Sequence, residues 1–189
     1  MIDLHTHSNA SDGDLNPSEL IKKAVQTGIT NLALTDHDTV SGLEEAQEAA
    51  KKWGISFIPG VELEIQTEIQ GEFHLLGLNI RHLTEEFYGT LQNLAEIREQ
   101  RNLKIIEKMH EAGIEVDYKE IKVKEIIGRP QFGAFLVGRK IVKNQEQAFK
   151  RWLGKGRPFY VPKEGLDLAK AIRLIHEAKG IAVLAHPMS

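Results

Sequence analysis

The first third of the chain alternates short apolar segments with amphipathic helical segments, and this alternation limits the possible folds more than any other feature. MIDLHTHS predicts a strand, and NPSELIKKAVQTG predicts a helix capped by Asn16, with Pro17 in its first turn and Gly28 at its end. ITNLALTDHD predicts a buried strand, and SGLEEAQEAAKKWG predicts a helix capped by Ser41 and ended by Gly54. ISFIPGVELEI and EFHLLGLNI predict two further strands joined by a turn around Gly71. Such alternation is typical of α/β proteins with largely parallel strands. An α/β fold is therefore predicted.

The pattern changes near residue 84. From there to Lys155 helical segments prevail: a long one that we expect to be interrupted at Gly89 and to end at Gly113, then FGAFLVGRKIV and NQEQAFKRWLG. The strand–helix pattern returns with the helix LDLAKAIRLIHEAKG and the apolar strand IAVLAHP. We therefore predict one barrel-type domain from residues 1–83 and 156–189, with residues 84–155 as a helical insertion that caps it.

Ionisable side chains recur in or just after the predicted strands and in the first loop. They are His5, His7, Asp12, His37, Glu62, His74 and His186. The carboxyl ends of parallel strands meet at one rim, where binding sites form, so these side chains are expected to converge. Each motif alone also has a structural explanation, since Asp36 and Asp38, for example, are good turn residues. Burying all seven side chains uncompensated would cost on the order of several kcal/mol each, a penalty that a bound divalent cation removes. The set therefore predicts a metal site.

The composition excludes several classes of function. The chain has 189 residues and no cysteine, which excludes disulfides, thiolate metal sites and cysteine nucleophiles. A metal held by imidazole and carboxylate alone fits Mn, Fe or Zn. No apolar run reaches the roughly 18 residues of a membrane span, and no leader precedes Leu4, so we expect a cytoplasmic protein without a membrane partner.

The charge of the chain bears on its partners. A net charge of −3 argues against a stable nucleic-acid partner. Residues 139–163 depart from this balance, with eight basic side chains and one acid, Glu146. This tract could hold a phosphate, or it could be an ordinary solvated surface.

Taken together, the motifs resemble those of the PHP (polymerase and histidinol phosphatase) family. They are D-L-H-x-H-S-x-x-S-D-G, L-T-D-H-D-T, G-V-E-L, H-L-L-G and A-H-P. The resemblance covers essentially the whole chain and is greatest to the bacterial stand-alone phosphoesterases that act on nucleotides. It implies a distorted (β/α)7 barrel holding two or three divalent metal ions, with Mn²⁺ preferred and Fe²⁺ or Zn²⁺ as alternatives. The ligands implied by position are His5 with His7 for a first metal, a bridging Glu62 with His74 and His186 for a second, and Asp12 with His37 for a third.

The chain departs from the family pattern at two places. Relatives continue beyond A-H-P and supply a late D-x-H pair and the final strands, so we expect the barrel of this chain to be incomplete at its C-terminus. Relatives often carry histidine after G-R-P, where this chain has Gln131, a residue that could still donate a hydrogen bond.

The function that the resemblance implies is metal-dependent hydrolysis of a phosphate ester. The expected substrate is a small phosphorylated molecule, such as a nucleotide 3′,5′-bisphosphate, or a short oligonucleotide end, attacked by a hydroxide formed on the metals. Arg129 of G-R-P, and next Lys163, are predicted to bind a substrate phosphate. The alternatives are a phosphatase like those for histidinol phosphate and a non-catalytic PHP module that binds metal or phosphate.

Overall fold

The computed structural model describes residues 1–66, 73–122 and 126–187. Its elements, in chain order, are β1 (Ile2–Thr6), α1 (Pro17–Gln26), β2 (Asn31–Leu34), α2 (Leu43–Trp53), β3 (Ser56–Gln66), β4 (Phe73–Leu78), α3 (Glu85–Glu111), α4 (Tyr118–Ile121), α5 (Arg129–Gly138), α6 (Gln145–Ala148), a π-helical turn (Phe149–Leu153), β5 (Leu166–Asp167), α7 (Leu168–Glu177) and β6 (Ile181–Leu184). A turn predicted around Gly71 lies outside the described residues. No helix within the described ranges is long and apolar enough to cross a membrane.

The described strands form one six-stranded sheet in the order β1-β2-β3-β4-β6, with β5 paired to β3. Strands β1, β2 and β3 are parallel, whereas β4 is antiparallel to both β3 and β6. The predicted α/β class is confirmed. The sequence predicts largely parallel strands, and β4 departs from this because it runs antiparallel to both of its neighbours. The seven-unit barrel and its incompleteness at the C-terminus stay predictions.

The chain forms two compact units, one of Met1–Leu94 with Glu164–Ser189 and the other of Ala95–Lys163. In the first unit, α1 and α2 pack through Ile21, Ala46 and Ala50 against the buried Leu32 and Leu34 of β2. In the second unit, residues of α3, α5 and the π-helical turn form a separate apolar core with Phe159. The domain limits predicted from the sequence, 1–83 with 156–189 and 84–155, stay predictions.

The helix ends follow local chemistry. The Asn16 side chain accepts a hydrogen bond from the Glu19 backbone N–H at 2.8 Å, and the Glu19 carboxylate accepts one from the Asn16 N–H at 3.1 Å, so α1 begins with a capping box. Helix α2 ends at Gly54, whose φ of 69° lies in the left-handed region that glycine adopts most easily. Both ends agree with the prediction.

Two helix predictions were wrong. Helix α2 begins after Gly42 rather than after Ser41, and its start has no side-chain cap. Helix α3 runs through Gly89 without interruption. A glycine inside a helix costs only about 1 kcal/mol, and the buried Phe87 and Leu91 on either side of Gly89 stabilise the helix by packing.

The two outer strands differ from the central ones in burial. Ile2 and Leu4 of β1 and Ile181, Val183 and Leu184 of β6 are exposed, with Ile2 at 63% and Ile181 at 62%. None of the apolar residues of β2 and β3 is exposed: Phe57, Ile58 and Pro59 at the start of β3 are half-buried, and the others are buried. The strands at the two ends of the described order therefore each present an apolar surface to solvent.

Candidate metal centre

The carboxylate of Glu62 lies at the centre of the predicted site and is 1% exposed. Glu62 lies within β3, and its backbone N–H and carbonyl groups are both hydrogen-bonded to the segment that follows β2. Its N–H donates to the Asp36 carbonyl at 3.1 Å, and its carbonyl accepts from the Asp38 N–H at 2.9 Å. This pairing places His37 directly beside Glu62.

Three imidazoles approach Oε2 of Glu62. The distances are 2.9 Å from His5 Nε2, 3.1 Å from His7 Nε2 and 3.4 Å from His37 Nδ1. His5 and His7 lie two residues apart, and because strand side chains alternate between faces, both reach the same side of β1. The H-T-H motif therefore delivers two nitrogens to one oxygen.

The other two imidazoles approach Oε1 of Glu62. His74 Nδ1 lies 2.9 Å away and His186 Nε2 lies 3.0 Å away, and these two nitrogens are 3.2 Å apart. His74 is at the start of β4, opposite Glu64 in the antiparallel register, which puts it on the same sheet face as Glu62. The direction of β4 thus brings the beginning of that strand, instead of its end, to the site.

Asp12 lies at the edge of the cluster, with its side chain 39% exposed. Its Oδ1 is 3.6 Å from His7 Nδ1, and its Oδ2 is 3.9 Å from His37 Nε2. The structure therefore brings all seven sequence-predicted ligands together.

The loop that carries Asp12 is held by Asp36, a residue for which the sequence predicts only a place in a turn. The buried Asp36 carboxylate accepts hydrogen bonds from the Ser8 N–H at 2.7 Å, the Ser8 hydroxyl at 2.6 Å and the Ser11 hydroxyl at 2.6 Å. Ser8 and Ser11 are themselves fully buried. The two serines of S-x-x-S-D-G were the available signal, since paired buried hydroxyls need an acceptor.

A close backbone approach fixes the same loop. The Gly13 N–H donates to the Ser8 carbonyl at 2.9 Å. A Cβ atom at position 13 would collide with the carbonyl oxygen of His7. Glycine after Asp12 is therefore a steric requirement of this loop.

Glu62 stays ionised despite its burial. Burial raises the pKa of its carboxyl, because water no longer solvates the charge. Hydrogen bonds with His7 and His74 outweigh burial, with further help from His37 and His5. The net result is a pKa held well below the usual range.

The neighbouring imidazoles respond differently to the same surroundings. Burial lowers the pKa of His7. The hydrogen bond to Glu62 and the charge of Asp12 raise the pKa by more than burial lowers it, so it lies above the ordinary value. For His37, burial dominates the attraction of Glu62 and lowers the pKa to about 4. At neutral pH, His37 is therefore an uncharged imidazole with a free lone pair.

These residues fit a group of divalent cations. Ligand atoms lie within 4.8 Å of one another in three sets, namely His5 with His7 and Glu62, His7 with Asp12 and His37, and His37 with Glu62 and His74. Within the described parts of the chain, the buried His37 Nδ1 and His74 Nε2 make no hydrogen bond. Buried imidazole nitrogens without a hydrogen bond, beside an ionised carboxylate, match the donor preference of Mn, Fe or Zn.

The two predicted phosphate-binding residues belong to the second unit, whereas the seven ligands belong to the first. Arg129 begins α5, is buried, and lies 5.6 Å from the ring centre of Tyr160 and 6.0 Å from that of Phe149. Lys163 is half-buried. Gln131 uses its side-chain oxygen to accept the Gly128 N–H at 2.8 Å, so that oxygen caps α5.

Comparison with known proteins supplies the family. The model of the PHP domain family matches residues 3–128. A 5′-3′ exoribonuclease of Haemophilus influenzae is 42% identical over 98% of this chain and 68% of its own length. A 3′,5′-nucleoside bisphosphate phosphatase of Chromobacterium violaceum is 36% identical over 98% of this chain and 66% of its own length. The chain thus spans about two thirds of the length of these relatives.

A solved structure agrees with this result. It is that of a Bifidobacterium adolescentis protein assigned as a metal-dependent phosphoesterase, and it superposes with a TM-score of 0.88 at 25% identity. The match covers 98% of this chain and 66% of the other. The α/β architecture described above is therefore shared with a solved protein of that class.

Proposed function

Since this chain belongs to the PHP family, we propose that it is a metal-dependent phosphoesterase that cleaves phosphate esters of nucleotides. One observation carries the proposal: a buried, ionised carboxylate receives imidazoles on both of its oxygens, three on one and two on the other. A carboxylate in this position can link two cations, whereas an imidazole has one nitrogen available once the other is occupied.

The proposed ligand sets follow the two oxygens of Glu62. His5 and His7, whose nitrogens lie near Oε2, would hold one cation with Glu62, and His74 and His186, whose nitrogens lie near Oε1, would hold a second with it. Asp12 and His37 are proposed for a third. When bound, such cations activate water and neutralise phosphoryl charge, and Mn²⁺ is the proposed ion.

The residues of the chain prepare this chemistry through their charge states. Glu62 keeps its negative charge because its imidazole neighbours hold its pKa low. His37 stays neutral at physiological pH because burial lowers its pKa to about 4, so no proton has to leave before it can act as a ligand. Asp12 has the most exposed side chain of the seven, at 39%, which supports the proposal that a substrate phosphate enters beside it.

The proposed substrates are nucleotide 3′,5′-bisphosphates and short oligonucleotide ends. The two relatives named above are an exoribonuclease and a nucleoside bisphosphate phosphatase, and substrates of both kinds carry phosphate esters on ribose. Arg129 and Lys163 are proposed to bind a phosphate that is not cleaved. Rings of Tyr160 and Phe149 near the Arg129 guanidinium would favour its planar, bidentate presentation.

The test is phosphate release by purified protein treated with EDTA and reloaded with Mn²⁺, Fe²⁺ or Zn²⁺. Substrates are adenosine 3′,5′-bisphosphate, a 5′-phosphorylated RNA oligonucleotide and histidinol phosphate. We expect release from the nucleotides, its loss on chelation, and its loss in His7→Ala. His82→Ala changes an exposed histidine outside the site and serves as the matched control.

Three results would contradict the proposal. Metal-loaded protein that releases no phosphate from any of these substrates would favour the non-catalytic module. Release from histidinol phosphate alone would favour the histidinol phosphatase alternative. Equal losses in His7→Ala and His82→Ala would remove the link between activity and this cluster.

A further inference from the structure

We propose that a basic groove in the second unit binds the phosphodiester backbone of single-stranded RNA. The groove has a volume of about 670 Å³, and the side chains that matter for the argument are Lys150, Arg151, Trp152 and Arg157. The inference rests on the proposed function, because it names a polymeric substrate class for the same enzyme. The proposed RNA binding is a transient contact with a substrate during turnover, as opposed to a stable complex with a nucleic acid.

The groove carries positive charge that the protein does not neutralise. Within the described residues, Lys150, Arg151 and Arg157 form no ion pair, and Glu146 is the one acid that lines the groove. Two basic residues elsewhere in this unit are neutralised, since Lys122 pairs with Glu99 at 3.0 Å and Arg139 with Glu120 at 2.6 Å. The three groove cations are therefore available to an outside anion.

Backbone hydrogen bonds hold these cations side by side. The π-helical turn carries Lys150, Arg151 and Trp152, and the chain then reverses at Gly156, whose φ is 73°. The Arg157 N–H donates to the Gly154 carbonyl at 3.0 Å, which brings its guanidinium back beside the turn. π-Helical turns occur frequently at functional sites.

An aromatic ring borders the same groove. Trp152 is half-buried and stacks on Phe159 with ring centres 4.7 Å apart, and the Phe159 N–H donates to the Trp152 carbonyl at 2.9 Å. Phe159 is 1% exposed, so it anchors the tryptophan to the core of this unit. Cations beside a fixed aromatic ring form the combination by which proteins bind single strands, through phosphates and base stacking.

The exposure of the cations favours a polymer over a single small anion. Lys150, Arg151 and Arg157 are all exposed, so none is desolvated in the way a tight site for one phosphate requires. Repeated weak contacts along a chain of phosphates compensate for this exposure, because each contact releases a counterion. The similarity to a 5′-3′ exoribonuclease favours RNA as that chain.

The test measures binding of a fluorescent, 5′-phosphorylated 12-nucleotide RNA by anisotropy, with protein kept in EDTA so that no cleavage occurs. One variant combines Lys150→Ala, Arg151→Ala and Arg157→Ala. The matched control combines Lys22→Ala, Lys51→Ala and Lys52→Ala, which remove the same charge from exposed helix positions in the first unit. Both variants are compared with wild type between 50 and 300 mM salt.

The salt slope is the change of the log of the binding constant with the log of the salt concentration. We expect it to be less steep by about 2 in the groove variant, because each of the three lost single-strand contacts contributes about 0.7. At 0.1 M salt this corresponds to an affinity about 100-fold lower. The control variant is expected to keep the wild-type slope. Circular dichroism and thermal unfolding establish that both variants fold.

The outcomes separate this inference from the proposed function. Equal RNA affinity in wild type and groove variant overturns the groove, even if the protein hydrolyses nucleotides. RNA binding that depends on the groove, in a protein that releases no phosphate when metal-loaded, supports the groove and refutes the phosphoesterase. If DNA of the same sequence binds equally well, the result supports recognition through phosphates. If the control variant loses as much RNA affinity as the groove variant, the attraction is nonspecific and the groove is refuted.

Discussion

Replacing Glu62 by glutamine in metal-free protein tests whether one buried charge holds the imidazoles of the site. The substitution keeps the size of the side chain but removes the charge that five imidazole nitrogens approach within 3.4 Å. Glu62 is 1% exposed, so solvent does not screen the interaction. We expect the variant to lose about 3–5 kcal/mol of the free energy of unfolding, the cost of breaking a buried ion pair by removing one partner.

The loss depends on pH in a direction that the pKa shifts define. The folded-state pKa of Glu62 is depressed, so its contribution is present above the ordinary value of 4.5 and is lost as pH falls toward the folded value. The pKa of His7 is raised, so its contribution is present below 6.5 and is lost as pH rises through the folded value. The difference between wild type and variant is therefore largest between pH 4.5 and 6.5 and smaller at pH 8.

Urea unfolding followed by circular dichroism at pH 5.5 and pH 8 measures this difference. With a urea dependence of about 2–3 kcal/mol per molar, the midpoint at pH 5.5 should fall by about 1–2 M. Glu48→Gln, the same change at an exposed position of α2, should shift the free energy by less than about 0.5 kcal/mol. A nuclear magnetic resonance titration of the histidines should show a lower pKa for His7 in the Glu62 variant.

The reasoning is refuted if the Glu62 and Glu48 variants unfold at the same urea concentration. It is also refuted if the difference from wild type is larger at pH 8 than at pH 5.5, since that would assign the stability to something other than the ionised pair. An unchanged pKa of His7 would contradict the assignment of its shift to Glu62.

Three further substitutions test the loop and a helix end. Asp36→Ala leaves three buried hydrogen-bond donors without their acceptor, so we expect the free energy of unfolding in urea to fall by about 2–4 kcal/mol. Because the substitution also releases the loop that carries Asp12, we expect mass spectrometry to find one metal ion fewer per chain. Gly13→Ala places a Cβ against the His7 carbonyl, and we expect metal-dependent phosphate release to fall at least about 10-fold with unchanged helix content. Gly54→Ala forces alanine into the left-handed region at φ 69°, which should cost about 1–2 kcal/mol in urea unfolding and leave phosphate release unchanged.

The sequence alone predicted which side chains would come together better than it predicted the path of the chain that brings them together. His5 and His7 were predictable because alternation along a strand puts both on one face. His74 was expected at the site for the wrong reason, since apolar segments such as HLLGL show no strand direction. The antiparallel pairing of β3 and β4 depends on contacts that a local pattern does not contain.

Other features depended on tertiary contacts in the same way. Asp36 was read as a turn residue because its burial and its three donors become visible only when the loop after β1 packs against the end of β2. The interruption expected at Gly89 failed because packing of Phe87 and Leu91 outweighs a modest local preference. Helix ends such as Asn16 and Gly54 were predicted because their chemistry lies within a few residues of sequence.

The exposed apolar side chains of β1 and β6 have a practical consequence for any preparation of these 189 residues. Among the strands that the structure describes, each of these two has a neighbour on one side, which leaves a row of backbone N–H and carbonyl groups beside solvent-facing isoleucine and leucine. Such a border is a template onto which a strand from another molecule can add. Self-association of this chain should therefore increase with concentration, and a charged residue such as lysine in place of the exposed Ile181 should suppress it, as sedimentation velocity over a concentration series would measure.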